Sequence, residues 1–322
     1  MDILFDVLRT AIAPSTAAFA LAAIGLNFHF GLTGLLNMGH AGFMLLGMYG
    51  FAISLQQGWP IWLAVIIGLL AAAIFAVLLG WPTLKLRGDY LAIVTIAAAE
   101  MVRLLGRSQS LKDLTGASSG IRGKDFKEPF ETLSPFPDSI VTIGPFQMHG
   151  SRSSSWWLTV VTWVLVGIFA LVFWRLANSP WGRVLKGIRE DEDAVRSLGK
   201  NVYSYKMQAL VIGGMIGALG GITWALGNSV QPDSMARPTT FWLWTLLLLG
   251  GAATVFGPVL GSILFWSALT LVKSLASAFI PDTVLSTTEL EPFSLVLVGV
   301  TLMLLVIFRP QGVLGNKKEL AF

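Results

Sequence analysis

Apolar stretches of about 17–25 residues recur along the chain, each long enough to cross roughly 30 Å of hydrocarbon as a helix. They fall near 11–28, 37–55, 61–81, 89–105, 156–176, 206–226, 241–255, 258–280 and 292–308. None alternates as a barrel strand does, and an open sheet cannot satisfy its backbone in lipid, so the spans are helices. The expected fold is an all-α integral membrane protein, a polytopic bundle of about nine transmembrane helices within a range of eight to ten. Regions 29–60 and 241–260 are rich in glycine and leave room for a half-helix or a re-entrant turn.

Composition agrees. Of the 322 residues 54% are hydrophobic and 12% charged, with a mean hydropathy of +0.72. A soluble domain carries roughly 25% charged residues. With no cysteine, disulfides, thiol catalysis, Fe–S clusters and cysteine zinc sites are excluded. His29, His40 and His149 are too scattered for a metal cage. The net charge of +4 is not massed on one element, so nucleic acid is not an expected partner. Asp2, Asp6 and Arg9 leave no positive leader region, and no cleaved signal peptide is expected. One transmembrane domain, 1–322, is read.

Basic residues set the topology. Residues 82–88 hold Lys85 and Arg87, 177–205 hold Arg183, Lys186, Arg189, Arg196 and Lys200, and the tail holds Arg309, Lys317 and Lys318. Placed in the cytoplasm, they leave 56–60, 106–155, 227–240 and 281–291 outside, with the N-terminus out. The loop 106–155 has six basic residues nearly offset by five acids. A tenth helix would turn the N-terminus inward.

The segment 179–206 is the most informative. Ser179 and Pro180 suit a helix start, Trp181 to about Leu198 favours helix, and Gly199 reads as its C-cap. Val184, Leu185, Ile188 and Val195 form an apolar stripe. A plain connector is the bland alternative; capping at both ends favours a docking element.

GRVLKGIREDEDAVRSLG, from Gly182 to Gly199, resembles the cytoplasmic coupling loop of the branched-chain amino acid ABC permeases. Gly182, Arg183, Ile188, Arg189, Glu190, Glu192, Ala194 and Gly199 match that pattern, and Gly187 stands where alanine is usual. Four further parts of the chain resemble family blocks in order, at 31–50, 84–105, 249–262 and 308–315, and LTGASSGI at 114–121 resembles an external element. Ala117 and Ala253 depart from it, each standing where the family has glycine. The resemblance implies the ABC importer permease fold, a second related permease subunit, two separate ABC ATPase subunits that carry ATP and magnesium, an extracytoplasmic substrate-binding protein, and a bacterial plasma (inner) membrane setting. It implies that Arg183, Ile188, Arg189, Glu190, Asp191, Glu192 and Gly199 couple to the ATPase, with Arg189 and Glu190 docking it. No cofactor is expected on this chain and no catalysis. Branched-chain or related hydrophobic amino acids are the implied substrate; urea, short amides or other amino acids are the alternative.

The residues themselves add to this. Six glycines lie within 31–50, where each costs about 1 kcal/mol against alanine in a helix, so they serve close packing or local unwinding. Asn37, His40, Gly42, Phe43, Gly250, Gly251, Gly257 and Pro258 are read as translocation path or packing. Glycine spacing also links 31–50 with 250–261, as paired transporter halves would. Glu100 and Arg103 lie three apart and pair on one helix, and Asp89 caps a helix start. An ion-coupled secondary transporter would need buried ionisable groups in mid-span; Glu100 and Lys273, both near ends, are the chief ones. No GxxxxGK[ST], HExxH or GxSxG pattern with a partner histidine supports an ATPase or an intramembrane enzyme.

Overall fold

The computed structural model describes residues 2–85, 88–143, 146–151, 155–279 and 311–315, with isolated positions between 292 and 307. The ninth apolar stretch, the loop 281–291 and the basic residues Arg87, Arg309, Lys317 and Lys318 otherwise lie outside the described residues.

The chain opens with α1 (Asp2–Ile12) and α2 (Pro14–Asn27), which runs on as a π-helical turn over Phe28–Leu32. Pro14 breaks the ladder between them, because it lacks an N–H. The Thr16 hydroxyl supplies a donor to Thr10 O at 2.6 Å, and the Trp163 indole donates to Ile12 O at 2.9 Å. Next come α3 (His40–Gln56), α4 (Ile61–Thr83) and α5 (Gly88–Arg107). The connection to α8 (Trp156–Ala177) holds α6 (Lys112–Thr115), α7 (Glu128–Glu131) and an antiparallel hairpin of β1 (Ile140–Ile143) with β2 (Phe146–His149). Short α9 (Pro180–Glu190) and α10 (Glu192–Ser197) lead to α11 (Val202–Gly227), α12 (Arg237–Gly250) and α13 (Gly257–Phe279). Eight of the nine expected spans therefore coincide with helices. The hairpin is a small departure from the all-α expectation.

Five of these segments are long and apolar enough to cross a membrane: Pro14–Leu32, Ile61–Thr83, Trp156–Ala177, Val202–Gly227 and Gly257–Ala278. Among the rest, α3 and α12 are shorter because the chain unwinds beside each, over 33–39 and 251–256. Both breaks fall in the glycine-rich regions that left room for a half-helix or a re-entrant turn. The spans read at 37–55 and 241–255 thus begin later and end earlier as helix.

Side-chain size is sorted in the inverse of a soluble helix. On α4, Ala64, Gly68, Ala72 and Ala76 face inward at four-residue spacing, while Trp62, Ile66, Leu70, Ile74, Val77 and Trp81 face out. On α8 Val160, Val164, Ile168, Leu171 and Trp174 are exposed. Large apolar groups turned outward need an apolar solvent, and small inward residues let helices approach. At the centre of the bundle, α2 packs between α11, α8, α12 and α13, and almost all of Pro14–Leu32 is buried.

Candidate functional site

The two ends of the bundle are built differently. At one end, LTGASSGI ties the 106–155 connection to the α11–α12 linker. Ile121 and Val230 exchange backbone hydrogen bonds at 2.8 and 3.0 Å, and a Cβ on Gly120 would lie 2.0 Å from Val230 O. The Glu100–Arg103 pair forms here as expected, with bonds of 2.6 and 3.1 Å. Sequence reading missed its other half: Arg103 also bonds Asp233 of the linker, and Arg237 lies 3.6 Å from Glu100. The cluster clasps α5 to the start of α12.

The opposite end gathers the other sequence blocks. The turn 33–39, unwound between α2 and α3, is its hub. His29 Nε2 lies 3.0 Å from the carbonyl of Leu210, which can only accept, so this nitrogen carries the proton. His29 Nδ1 then accepts from the Asn37 amide at 3.0 Å, and Asn37 Oδ1 accepts from Gly39 N at 2.9 Å. The Trp244 indole of α12 donates to Asn37 O at 3.1 Å, and Met38 N donates to Thr95 Oγ1 of α5 at 3.0 Å. His40 stands edge-on to His29 with ring centroids 5.2 Å apart. Asn37, His40 and Phe43 are fully buried, and Gly42 abuts Ala99. Asn37 alone of these four spends its side chain on hydrogen bonds within the chain, while both ring nitrogens of buried His40 lack a hydrogen-bond partner among the described residues.

The second break closes on the first. Asn27 accepts from Ala253 N and donates to Thr254 O, and a Cβ on Gly31 would lie 2.8 Å from Ala253 N. Gly250 and Gly257 meet so closely that a Cβ on Gly250 would lie 1.7 Å from Gly257 O. Gly251 has φ 111°, and Pro258 opens α13. The terminal block supplies the donors that the end of α12 lacks: Val313 N bonds Leu249 O and Leu314 N bonds Gly250 O, both at 2.9 Å.

The charged segment stands at this end. The Ser179 hydroxyl accepts from Gly182 N at 3.2 Å, with Pro180 in the first turn, and Gly199 is left-handed at φ 75°. Both expected caps are present. Leu185, Ile188 and Val195 are buried as the expected stripe. The single helix read from Trp181 to Leu198 is two, however. Asp191 is extended, at φ −152° and ψ 101°, and its carboxylate accepts from Ala194 N at 3.0 Å. Four successive acids would oppose the dipole at a helix C-terminus; a new start at Asp191 turns the last three to favourable use.

This break sorts the expected coupling residues. Arg183, Glu190, Asp191 and Gly199 are exposed. Glu192 is held within the chain by Lys206 of α11 and by Arg196 at 2.8 Å. Arg189 turns inward, its Nη1 2.5 Å from Gly31 O. Sequence reading did not find Asn27, Thr95, Lys206 or Trp244. Asn27, a lone amide in an apolar span, carried the signal; the other three carried none without the fold.

Outward-facing bulky apolar residues, half-helices meeting across glycine contacts and a capped charged element at one end define a multi-pass helical membrane protein. The chain belongs to the family of branched-chain amino acid transport system permease components, whose model matches residues 8–306. It is 30% identical to the high-affinity branched-chain amino acid transport system permease protein LivM of Escherichia coli K12, over 94% of this chain and 69% of that protein. A probable branched-chain amino acid transport permease LivM of Methanocaldococcus jannaschii is 28% identical over 79% of this chain and 67% of its own length. The permease LivH of Salmonella typhimurium is 24% identical over 93% of this chain and 92% of its own.

Proposed function

We propose that this chain is the membrane-spanning subunit of an ATP-driven importer and forms half of the path for branched-chain or related hydrophobic amino acids. It performs no chemistry itself. A separate ATPase docks on 177–205, which faces the cytoplasm; 106–155 faces outside and receives an extracytoplasmic binding protein. The other half of the path is a second, related permease, and the setting is a bacterial plasma membrane. The observation that carries this reading is the pair α9–α10, capped at both ends and seated on the bundle by an apolar stripe, with Glu190 and Arg183 left outward. Charge pairs of that kind gain strength when a partner buries them.

The test is uptake in cells that lack their own system for these amino acids. Cells that carry this chain with its ATPase, second permease and binding protein should accumulate labelled leucine, isoleucine or valine, and omission of any one component should abolish it. Uptake of urea or short amides alone would replace the substrate assignment. Leucine uptake without an ATPase would contradict the reading altogether.

A further inference from the structure

We infer that Arg189 transmits the movement of the ATPase into the bundle and takes no part in docking it. The inference rests on the docking reading above. Arg189 and Glu190 are neighbours in sequence with opposite fates. Glu190 is exposed, with no ion pair among the described residues. The Arg189 stem lies on Gly34, whose φ is +69° and where a Cβ would come 3.1 Å from Arg189 Cγ. Its guanidinium reaches 158 positions back to Gly31 O. That carbonyl sits where α2 gives way to the turn, at the negative end of a helix dipole, so a cation suits it. A hydrogen bond with a charged donor is the stronger kind.

Gly31 is not an ordinary anchor. Its Cα faces Ala253, so a displacement of 28–34 presses on the 251–256 loop between α12 and α13. Asn27, one turn earlier, grips the same loop at Ala253 and Thr254. Downstream, the turn is bonded to α11 through His29, to α5 through Met38 and to α12 through Asn37. Through Gly31 and Gly34, one side chain on α9 thus meets a chain of contacts that runs on to α5, α11, α12 and the 251–256 loop. Packed and hydrogen-bonded chains of this kind can carry coupling between distant sites, and Arg189 is where this one meets α9.

The experiment uses the assembled transporter in proteoliposomes and reads three quantities together: ATPase co-purification, ATP hydrolysis, and molecules hydrolysed per substrate imported. Arg189→Ala should retain the ATPase at wild-type stoichiometry and still hydrolyse ATP, while ATP spent per substrate rises about tenfold or more, the scale of one charged hydrogen bond. Gly34→Ala, which displaces the stem but keeps the charge, should raise the ratio in the same way. Arg189→Lys, which keeps charge without the planar fork, should raise it less. It serves as the test where Arg189→Ala does not reach the membrane. Loss of the ATPase from Arg189→Ala to the extent seen in Glu190→Ala would make Arg189 a docking residue and overturn the inference, leaving the docking reading intact. An unchanged ratio in all three variants would also overturn it. A wild-type chain that captures no ATPase would sink the docking reading instead.

Discussion

Asn27 and Ala253 are locked together across 226 positions: the Asn27 Oδ1 accepts from Ala253 N at 2.9 Å while its Nδ2 donates to Thr254 O at 2.8 Å. Both ends of one buried amide are spent on one loop. Asn27→Asp would set an acceptor against Thr254 O and should cost about 1–3 kcal/mol, the cost of an unmatched buried polar group. Ala253 itself has φ 65°, a left-handed conformation that costs a Cβ-bearing residue about 1–2 kcal/mol. Ala253→Gly should stabilise the chain by about 0.5–1 kcal/mol, after the greater unfolded-state freedom of glycine is subtracted. Thermal unfolding in detergent checks both, and their signs should be opposite.

Two glycines on long spans should respond oppositely to the same change. A Cβ on Gly217 would lie 2.4 Å from His40 Nε2, whereas one on Gly167 meets nothing within 4 Å. Gly217→Ala should cost about 1–3 kcal/mol by overpacking. Gly167→Ala should gain up to about 1 kcal/mol from helix propensity. Melting temperatures of the two purified variants decide this.

The Arg103 cluster should rank at the upper end of surface ion pairs. Its side chain is 13% exposed and serves both Glu100 and Asp233. Arg103→Ala should cost about 1 kcal/mol, because Glu100 and half-exposed Asp233 keep only the longer contacts to Arg237 at 3.6 Å and Arg107 at 3.8 Å, and it should expose the α11–α12 linker to protease. Limited proteolysis of membranes, followed by mapping of the first cuts, tests the second effect. An unchanged cleavage pattern would argue that the clasp is idle.

Topology can be read chemically, since the chain has no cysteine. Ser118 and Ser197 are both exposed. Ser118→Cys should react with a membrane-impermeant maleimide added to intact cells, and Ser197→Cys should react only after permeabilisation. The reverse pattern would invert the orientation and move the charged segment away from any cytoplasmic ATPase.

Much of this was legible in the sequence, for reasons that differ by element. Apolar length revealed the spans because lipid leaves the backbone no other solution. Ser179, Pro180 and Gly199 marked their caps because capping is local chemistry. The break at Asp191 was also legible in principle: four acids in a row belong at a helix start, not its end. The direction of Arg189 was not, since nothing in IREDED reveals that Gly31 lies beneath it. Nor did the sequence reveal that Asn37 and His40 are fully buried within the chain. Ala117 and Ala253 stood out only as departures from a glycine pattern; the structure adds that both are left-handed, at φ 50° and 65°.

The central claim is that a separate ATPase drives this chain through 177–205, with Glu190 at the contact. The direct measurement is ATP-dependent leucine uptake by proteoliposomes holding the full assembly, wild type against Glu190→Ala, with ATPase retention measured in the same preparations. A desolvated charge left without its partner at an interface is worth about 2–5 kcal/mol. Glu190→Ala should therefore insert and express normally, lose most of its bound ATPase, and import leucine at least about tenfold more slowly, the equivalent of 1.4 kcal/mol. Uptake and ATPase retention equal to wild type would mean that the segment is a mere connector, and the claim would fail.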